Sequence, residues 1–227
     1  SFIPADFSSD RLTAFIQDTI ALSDAWSLML GSKFEYNDYT DFEIQPSARA
    51  WWSPDEQTTV WGSISRAVRV PSRTAHHAFL ATAYGDSGLL AGGLPTGIIV
   101  PIPVAGSTTT ESEELLAYEL GYRTEVCENV TLDIAAYSND YDNLLVLDGG
   151  PTGTFVNGGS GEVYGGEIAA SWDVCDNWRV TGSYSFADVQ LHDAIDQSDE
   201  FAYPEQQFQV RSYLDVPEDI ELNGSLI

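Results

Sequence analysis

Five residues that could bind a ligand are concentrated in one short stretch, SRAVRVPSRTAHHAF. Arg66, Arg69, Arg73, His76 and His77 lie within twelve positions, although the whole chain has only nine Lys and Arg residues and three His. Guanidinium groups bind carboxylates and similar oxyanions through paired N–H donors. The cluster therefore predicts capture of an anionic ligand, such as a metal chelate or a carboxylate-bearing molecule.

A second interpretation of the same arginines is favoured over ligand capture. Arginines on a charged strand face also pair with carboxylates of their own chain, here Glu35, Glu119 and Glu167. A metal site at the two histidines is disfavoured, because neighbouring side chains of a strand point to opposite faces. No Ser-His-Asp order, phosphate loop or zinc signature is present, so no catalytic residue, metal or cofactor is predicted.

The two cysteines occupy equivalent places in an internal repeat. Cys127 lies in VCEN and Cys175 in VCDN, 48 residues further on. If the two hairpins are consecutive, the strands that carry the thiols are about 10 Å apart, whereas a disulfide needs Cα atoms within about 7 Å. The hypothesis is a Cys127–Cys175 disulfide, formed where the turns lean together in an oxidising compartment. Catalysis by either thiol is disfavoured, because no histidine or basic group lies near it in sequence.

The elements that carry these residues show a period of two. In LLAYELGYRTEV the apolar side chains Tyr118, Leu120 and Tyr122 alternate with Glu119 and Arg123. Similar alternation recurs along the chain, and helical periodicity appears nowhere at comparable length. The chain is therefore predicted to be all-β, with about ten antiparallel strands that each have an apolar and a charged face.

The predicted connections fall into two sizes. Tight polar turns are expected near Asp24, Asp55, Glu128, Asp176 and Glu218. Longer loops are expected over 66–114, 141–162 and 188–205, with a short one at 38–41. This arrangement places all tight turns at one end of the sheet, as in transmembrane barrels. The aromatic residues that flank the tight turns suit a membrane interface: Trp26, Trp52, Trp172 and Trp178.

Composition narrows the class of protein. The chain has 9 basic and 35 acidic residues and a net charge of −26, which argues against nucleic-acid binding. No stretch reaches the roughly 18 apolar residues of a spanning helix. Ten strands with free edges would leave unpaired amides in hydrocarbon, so further strands are expected outside residues 1–227, which is favoured over strands supplied by other copies of the chain. The final run, LNGSLI, stops inside an alternating pattern and also favours a piece of a longer barrel.

The stretch LMLGSKFEYNDYTDFEIQPSARAWWSPDEQTTVWGSISRAVRVPSR resembles the barrel of TonB-dependent outer-membrane receptors. SEELLAYELGYRTEV, VYGGEIAASWDVCDNWRVTGSYSF and PEQQFQVRSYLDV are similar to the hairpins that follow in that family, and the resemblance covers about residues 14–222. It implies that residues 1–227 are part of a roughly 22-stranded barrel domain in the bacterial outer membrane. The plug domain and the remaining strands are absent from this sequence.

The same resemblance implies a transport function without catalysis. It implies uptake of a scarce nutrient, such as a ferric siderophore or another metal chelate, energised by the TonB complex through the plug. The implied partners are outer-membrane lipid, the TonB complex and a small-molecule ligand.

Two other functions remain open from the residues. An outer-membrane barrel enzyme of the lipase or protease type would use His192, beside Asp193 and near Ser198. A soluble β-sandwich that binds carbohydrate would instead turn its apolar faces inward and use exposed Trp and Tyr.

Overall fold

The alternating runs form strands, and almost all regular structure is β. A computed structural model describes residues 2, 5–86, 99–148, 153–192, 204–216 and 220–226. The described elements are β1 (Arg11–Ala21), β2 (Trp26–Asn37), β3 (Asp41–Trp52), β4 (Thr58–Arg69), α1 (Arg73–His77), β5 (Phe79–Asp86), β6 (Ile99–Ala105), β7 (Glu113–Cys127), β8 (Val130–Leu147), β9 (Gly153–Cys175), β10 (Trp178–His192), β11 (Gln206–Val216) and β12 (Ile220–Leu226).

Ten strands form the main sheet in the order β1-β2-β3-β4-β7-β8-β9-β10-β11-β12, and each pairs antiparallel with its neighbours. This confirms the predicted all-β architecture of about ten strands. The β5–β6 hairpin lies beside this path and joins β9 through a short parallel pairing at Val104 and Gly153. Within the described residues β1 and β12 do not pair, so the sheet is open.

Backbone hydrogen bonds show that the tight turns lie side by side at one end of the strands of the sheet. In each tight turn, the backbone carbonyl of the residue just before the second strand of the hairpin accepts a hydrogen bond. The donor is a backbone N–H near the end of the first strand of the next hairpin, so the bonds link neighbouring turns in series. The donor and acceptor pairs are Ser53 N–Ala25 O (2.8 Å), Glu125 N–Gln57 O (2.9 Å), Asp173 N–Asn129 O (2.9 Å) and Asp215 N–Asn177 O (2.8 Å). The predicted segregation of turns is confirmed for these four, and the predicted turn at Glu218 lies outside the described residues.

The opposite end differs from the prediction. Most of the expected loop 141–162 is strand, because β8 runs to Leu147 and β9 is 23 residues long. Glycines permit this close pairing: a β-carbon at Gly159 would lie 2.9 Å from Val146, and one at Gly161 would lie 2.9 Å from Leu191. At about 3.3 Å per residue β9 spans roughly 76 Å, far more than the roughly 30 Å hydrocarbon core of a bilayer.

The expected loop 66–114 is also partly ordered. β4 continues to Arg69, and the connection to β7 contains α1 and the β5–β6 hairpin. The only buried hydrophobic side chains among the described residues belong to Ala75, Ala78 and Val104, in this outer region. The main sheet therefore has no apolar core of its own. In the part of the chain that is described, no helix is long and apolar enough to cross a membrane.

Candidate functional site

One face of the main sheet carries a continuous exposed apolar surface, called here the apolar face. Residues directly opposite one another across strands share a face, and one such row crosses eight strands: Trp26, Trp52, Val60, Tyr122, Ile134, Ile168, Tyr184 and Phe208. Leu120 is 62% exposed and Ile168 is 42% exposed. No second described sheet packs on this face, so the soluble sandwich alternative does not fit.

Aromatic side chains form two bands across the apolar face. Near the turns, Trp26 stacks on Trp52 with ring centroids 5.9 Å apart, and Trp172 and Trp178 lie on the same face. Eight residues further along β2 and β9, a second band contains the pairs Phe34–Phe42 and Tyr164–Phe186. Eight residues of a strand tilted by about 40° rise about 20 Å, close to the roughly 25 Å apolar band of membrane barrels.

The other face, called here the polar face, carries ion pairs. Because the side chains alternate, Glu119, Arg123, Glu167 and Arg179 lie on this face, opposite to Leu120, Tyr122, Ile168 and Val180, as the sequence predicts. The pairs are Lys33–Glu35 (2.9 Å), Arg11–Glu35 (3.3 Å), Arg49–Glu119 (3.3 Å), Arg123–Asp133 (3.3 Å) and Arg179–Asp173 (2.5 Å). Most are solvent-exposed and contribute little to stability, but they neutralise nearly all the cations of this face.

An indole also lies flat on the polar face. Trp61 faces Gly121 across β4 and β7, and the Arg49 guanidinium lies 4.6 Å from the centre of the indole ring. Glu119 binds this guanidinium and also accepts a 2.9 Å hydrogen bond from the Ser63 hydroxyl. The indole is thus held against the wall rather than projecting from it.

The predicted arginine–histidine cluster does not form one site. Arg66 pairs with Glu114 at 2.9 Å and lies 3.9 Å from Glu43. Arg69 pairs with Glu113 at 2.5 Å. Both guanidinium groups are therefore engaged by carboxylates, although not by those expected from the sequence. Neither Glu113 nor Glu114 was identifiable as a partner, because the sheet order places β4 beside β7 across a connection of more than forty residues.

The other three members of the cluster are Arg73, His76 and His77. They belong to a small packed unit, called here the outer module, which consists of α1 and the residues that contact it, Phe2, Phe7, Tyr39 and Thr110. Ser72 caps α1 by accepting a hydrogen bond from Ala75 N. Arg73 donates to Ala5 O at 2.8 Å and lies over the Phe2 ring. His77 packs against Phe7, with ring centroids 4.6 Å apart. Arg73 and His77 thus hold the segment before β1 against α1. The role of Arg73, His76 and His77 in ligand binding stays a prediction.

His76 is the buried group of the outer module. It is 6% exposed, and its Nε2 donates to Thr110 O at 3.2 Å. The Tyr39 ring meets it edge-on at 4.7 Å. Burial lowers the pKa of His76, because the charged imidazolium loses hydration, and the neighbouring His77 adds to this effect. Among the described residues no group of three His, Cys, Asp or Glu side chains is placed to hold a metal ion.

Glu113 was not identified as a candidate from the sequence. Its carboxylate is buried, binds Arg69 and accepts a 2.9 Å hydrogen bond from Leu145 N. Asn157 adds a second link, because its side chain donates to Asn143 O and Glu111 O and accepts from Glu111 N. These contacts fix the outer half of the β8–β9 hairpin to the segment that leads into β7.

The two cysteines are exposed and free, so the structure does not contain the hypothesised disulfide. The reason is spacing, since β8 separates the two strands that carry them. The internal repeat is nevertheless structural. Cys127 donates to Asn129 and Cys175 to Asn177, and each Asn amide donates to the strand beyond, at Asp173 O (3.0 Å) and Asp215 O (2.8 Å).

An open antiparallel sheet with an exposed apolar band, aromatic edges and a charged opposite face defines the wall of a membrane barrel. The family model described as "TonB dependent receptor-like, beta-barrel" matches residues 1–224. The chain therefore belongs to the TonB-dependent receptor β-barrel family, whose members are bacterial outer-membrane proteins.

Individual relatives agree with the family. A probable TonB-dependent siderophore receptor of Acinetobacter baumannii, PiuA, is 22% identical over 82% of this chain and 25% of its own length. The iron-regulated outer membrane virulence protein of Vibrio cholerae is 24% identical over 79% of this chain and 27% of its own length. The crystal structure of the siderophore receptor PirA from Acinetobacter baumannii superposes with a TM-score of 0.74 at 17% identity, over 95% of this chain and 32% of PirA. The chain thus spans about a quarter of the curated relatives.

Proposed function

We propose that this chain forms part of the barrel wall and outer rim of a receptor that imports a metal chelate, such as a ferric siderophore, across the outer membrane. The observation that carries the proposal is that the sheet has one apolar and one charged face. An exposed apolar band about 20 Å tall is unfavourable in water and matches the lipid-facing band of membrane barrels. In this proposal the apolar face contacts lipid and the polar face lines the lumen.

Three parts of the chain extend beyond the second aromatic band, the one farther from the tight turns. They are the outer half of β8 and β9, the β5–β6 hairpin and the outer module. They form the part of the chain that a ligand from outside meets first. PiuA and PirA are described as siderophore receptors, which supports a chelate as the ligand of this receptor. Energy from the TonB complex, passed through a plug domain outside this sequence, is part of the proposal on the same grounds.

Uptake in whole cells tests this function. Cells that lack the full-length receptor, and the same cells complemented with it, are supplied with a panel of ⁵⁵Fe-labelled ferric hydroxamate and ferric catecholate chelates. We expect uptake of at least one chelate to need the receptor and to stop when TonB is depleted. Uptake that continues without TonB would contradict energised transport, and unchanged uptake of every chelate without the receptor would contradict the proposed function.

An enzymatic alternative gains no support from the described residues. His192 is exposed at the end of β10, opposite Ser160, and the proposed companions Asp193 and Ser198 lie outside the described residues. The family consists of receptors, which agrees with transport.

A further inference from the structure

A cavity of about 700 Å³ lies on the polar face, in its outer half. Its walls come from β8, β9, β10 and β11, together with the end of β4. Unlike the rest of the polar face, this area is largely apolar and aromatic. Its characteristic residues are Tyr137, Tyr141, Val163, Val189 and Leu191. A concave, mostly apolar surface with a few polar groups is typical of a small-molecule site.

The cavity contains one basic residue, Arg69, and this residue is committed elsewhere. Its guanidinium binds Glu113, whose side chain is only 8% exposed. Glu113 also accepts a hydrogen bond from Leu145 N, which ties it into the β8 backbone. Moving Arg69 toward an anionic ligand would leave a buried carboxylate without its counter-charge, and this is costly. The positive charge of Arg69 is therefore largely neutralised by Glu113, although the Arg69 side chain itself is 76% exposed.

The remaining charges of the cavity are negative. Glu167 and Glu205 line it, and neither forms an ion pair with a described residue. Seven of the nine basic residues of the chain pair with carboxylates, namely Arg11, Lys33, Arg49, Arg66, Arg69, Arg123 and Arg179. With 35 acidic residues in the chain, the charges that this chain places around the cavity are mainly negative and oppose an incoming anion.

The polar groups that remain suit a neutral or cationic partner. The Tyr137 and Tyr141 rings offer apolar area and hydroxyl groups, and an aromatic face attracts a cation. Ser185 and Gln207 add hydrogen-bonding groups beside the two carboxylates. We propose that this cavity is a ligand subsite that selects metal chelates that are neutral or positively charged and rejects anionic ones. The inference rests on the proposed transport function and specifies its substrate class.

Two chelates of different charge test the proposal on the full-length receptor in detergent. The probes are a ferric tris-hydroxamate complex, which is neutral, and a ferric tris-catecholate complex, which is trianionic. Binding is followed by quenching of tryptophan fluorescence. We expect the neutral complex to bind at least tenfold more tightly. The variant E167Q should narrow this preference by strengthening binding of the trianionic complex, while Y141A should weaken binding of the neutral one at least tenfold.

A matched control is E125Q, which removes one carboxylate from the same face near the turns, outside the cavity. It should leave both affinities unchanged. Because Tyr137 also packs over Gly165, the tyrosine test uses Y141A, and heat-modifiable gel migration establishes that each variant is folded. Equal or tighter binding of the trianionic complex would overturn the charge selection while leaving transport intact.

Unchanged affinities in both E167Q and Y141A would show that the cavity is not a ligand subsite, for example because another segment of the receptor fills it. If neither complex binds, the charge selection is overturned, and the whole-cell uptake panel separately tests whether the receptor carries any chelate.

Discussion

Trp61 and Gly121 face each other across β4 and β7 on the polar face, and the indole occupies the space that a side chain at residue 121 would need. A β-carbon built on Gly121 would lie 2.2 Å from Trp61 Cε2. The absence of a side chain therefore fixes the orientation of the indole, which in turn supports Arg49 and its pair with Glu119.

The variant G121V is expected to destabilise the full-length receptor by roughly 1–3 kcal/mol, the usual cost of overpacking. Trp61 must leave the wall, and the Arg49 contact is lost with it. The midpoint of heat-modifiable migration on gels measures the effect. The control is G182V, because a β-carbon there meets no atom closer than 4.0 Å. Equal midpoints for G121V and G182V would show that the indole is not held by this contact.

The outer module should loosen in acid. Burial lowers the pKa of His76 below its ordinary value of 6.5, so the unfolded module binds a proton more readily than the folded one. The contribution of neutral His76 to the stability of the folded module is complete above pH about 6.5. This contribution is lost as the pH falls from about 6.5 toward the lowered pKa of His76. Hydrogen exchange of the 73–78 segment, corrected for intrinsic rates, should be several-fold faster at pH about 5.5 than at pH about 7.5.

Replacement of the buried imidazole tests the assignment. H76F should abolish the pH dependence of exchange in this segment, whereas H192F, on an exposed strand end, should keep it. The account of the outer module fails if wild-type exchange shows no acid acceleration, or if H76F accelerates in acid as much as wild type.

Both thiols should react without prior reduction. Cys127 and Cys175 are exposed and free, so a maleimide should add to both in the folded receptor in detergent, and mass spectrometry should find two adducts. Their hydrogen bonds to Asn129 and Asn177 are weak and do not shield them. A product that accepts maleimide only after reduction would instead establish the disulfide that the sequence suggested.

The sequence was sufficient for the division of each strand into two faces, because alternation at Leu120, Ile168 and their neighbours is a local property with a period of two. It was not sufficient for the outer half of β9, where glycines read as loop. There Gly159 and Gly161 make room for Val146 and Leu191, a reason that appears only once the strands are paired. The five-residue α1 is too short to show helical periodicity.

The chemistry of the candidate site was even harder to predict than the strands, because it depends on pairing between strands that are far apart in the sequence. In the sequence, Arg69 belongs to the cluster that predicts an anion site. In the structure, β7 brings the buried Glu113, 44 residues further along the chain, beside Arg69, and this carboxylate neutralises its charge. The tyrosines of the cavity belong to β8, and its carboxylates belong to β9 and the approach to β11. No local pattern joins these segments, so the cavity was not predictable.

The most direct measurement of the central claim asks which face of β9 meets lipid. Ile168 and Ala169 are adjacent and lie on opposite faces. A nitroxide is attached to a single cysteine at either position in the receptor with C127S and C175S, reconstituted in phospholipid vesicles. We predict that the label at 168 collides mainly with oxygen, which concentrates in the bilayer, and the label at 169 mainly with a water-soluble nickel chelate. Preferential collision of the 168 label with the nickel chelate and of the 169 label with oxygen would contradict the account.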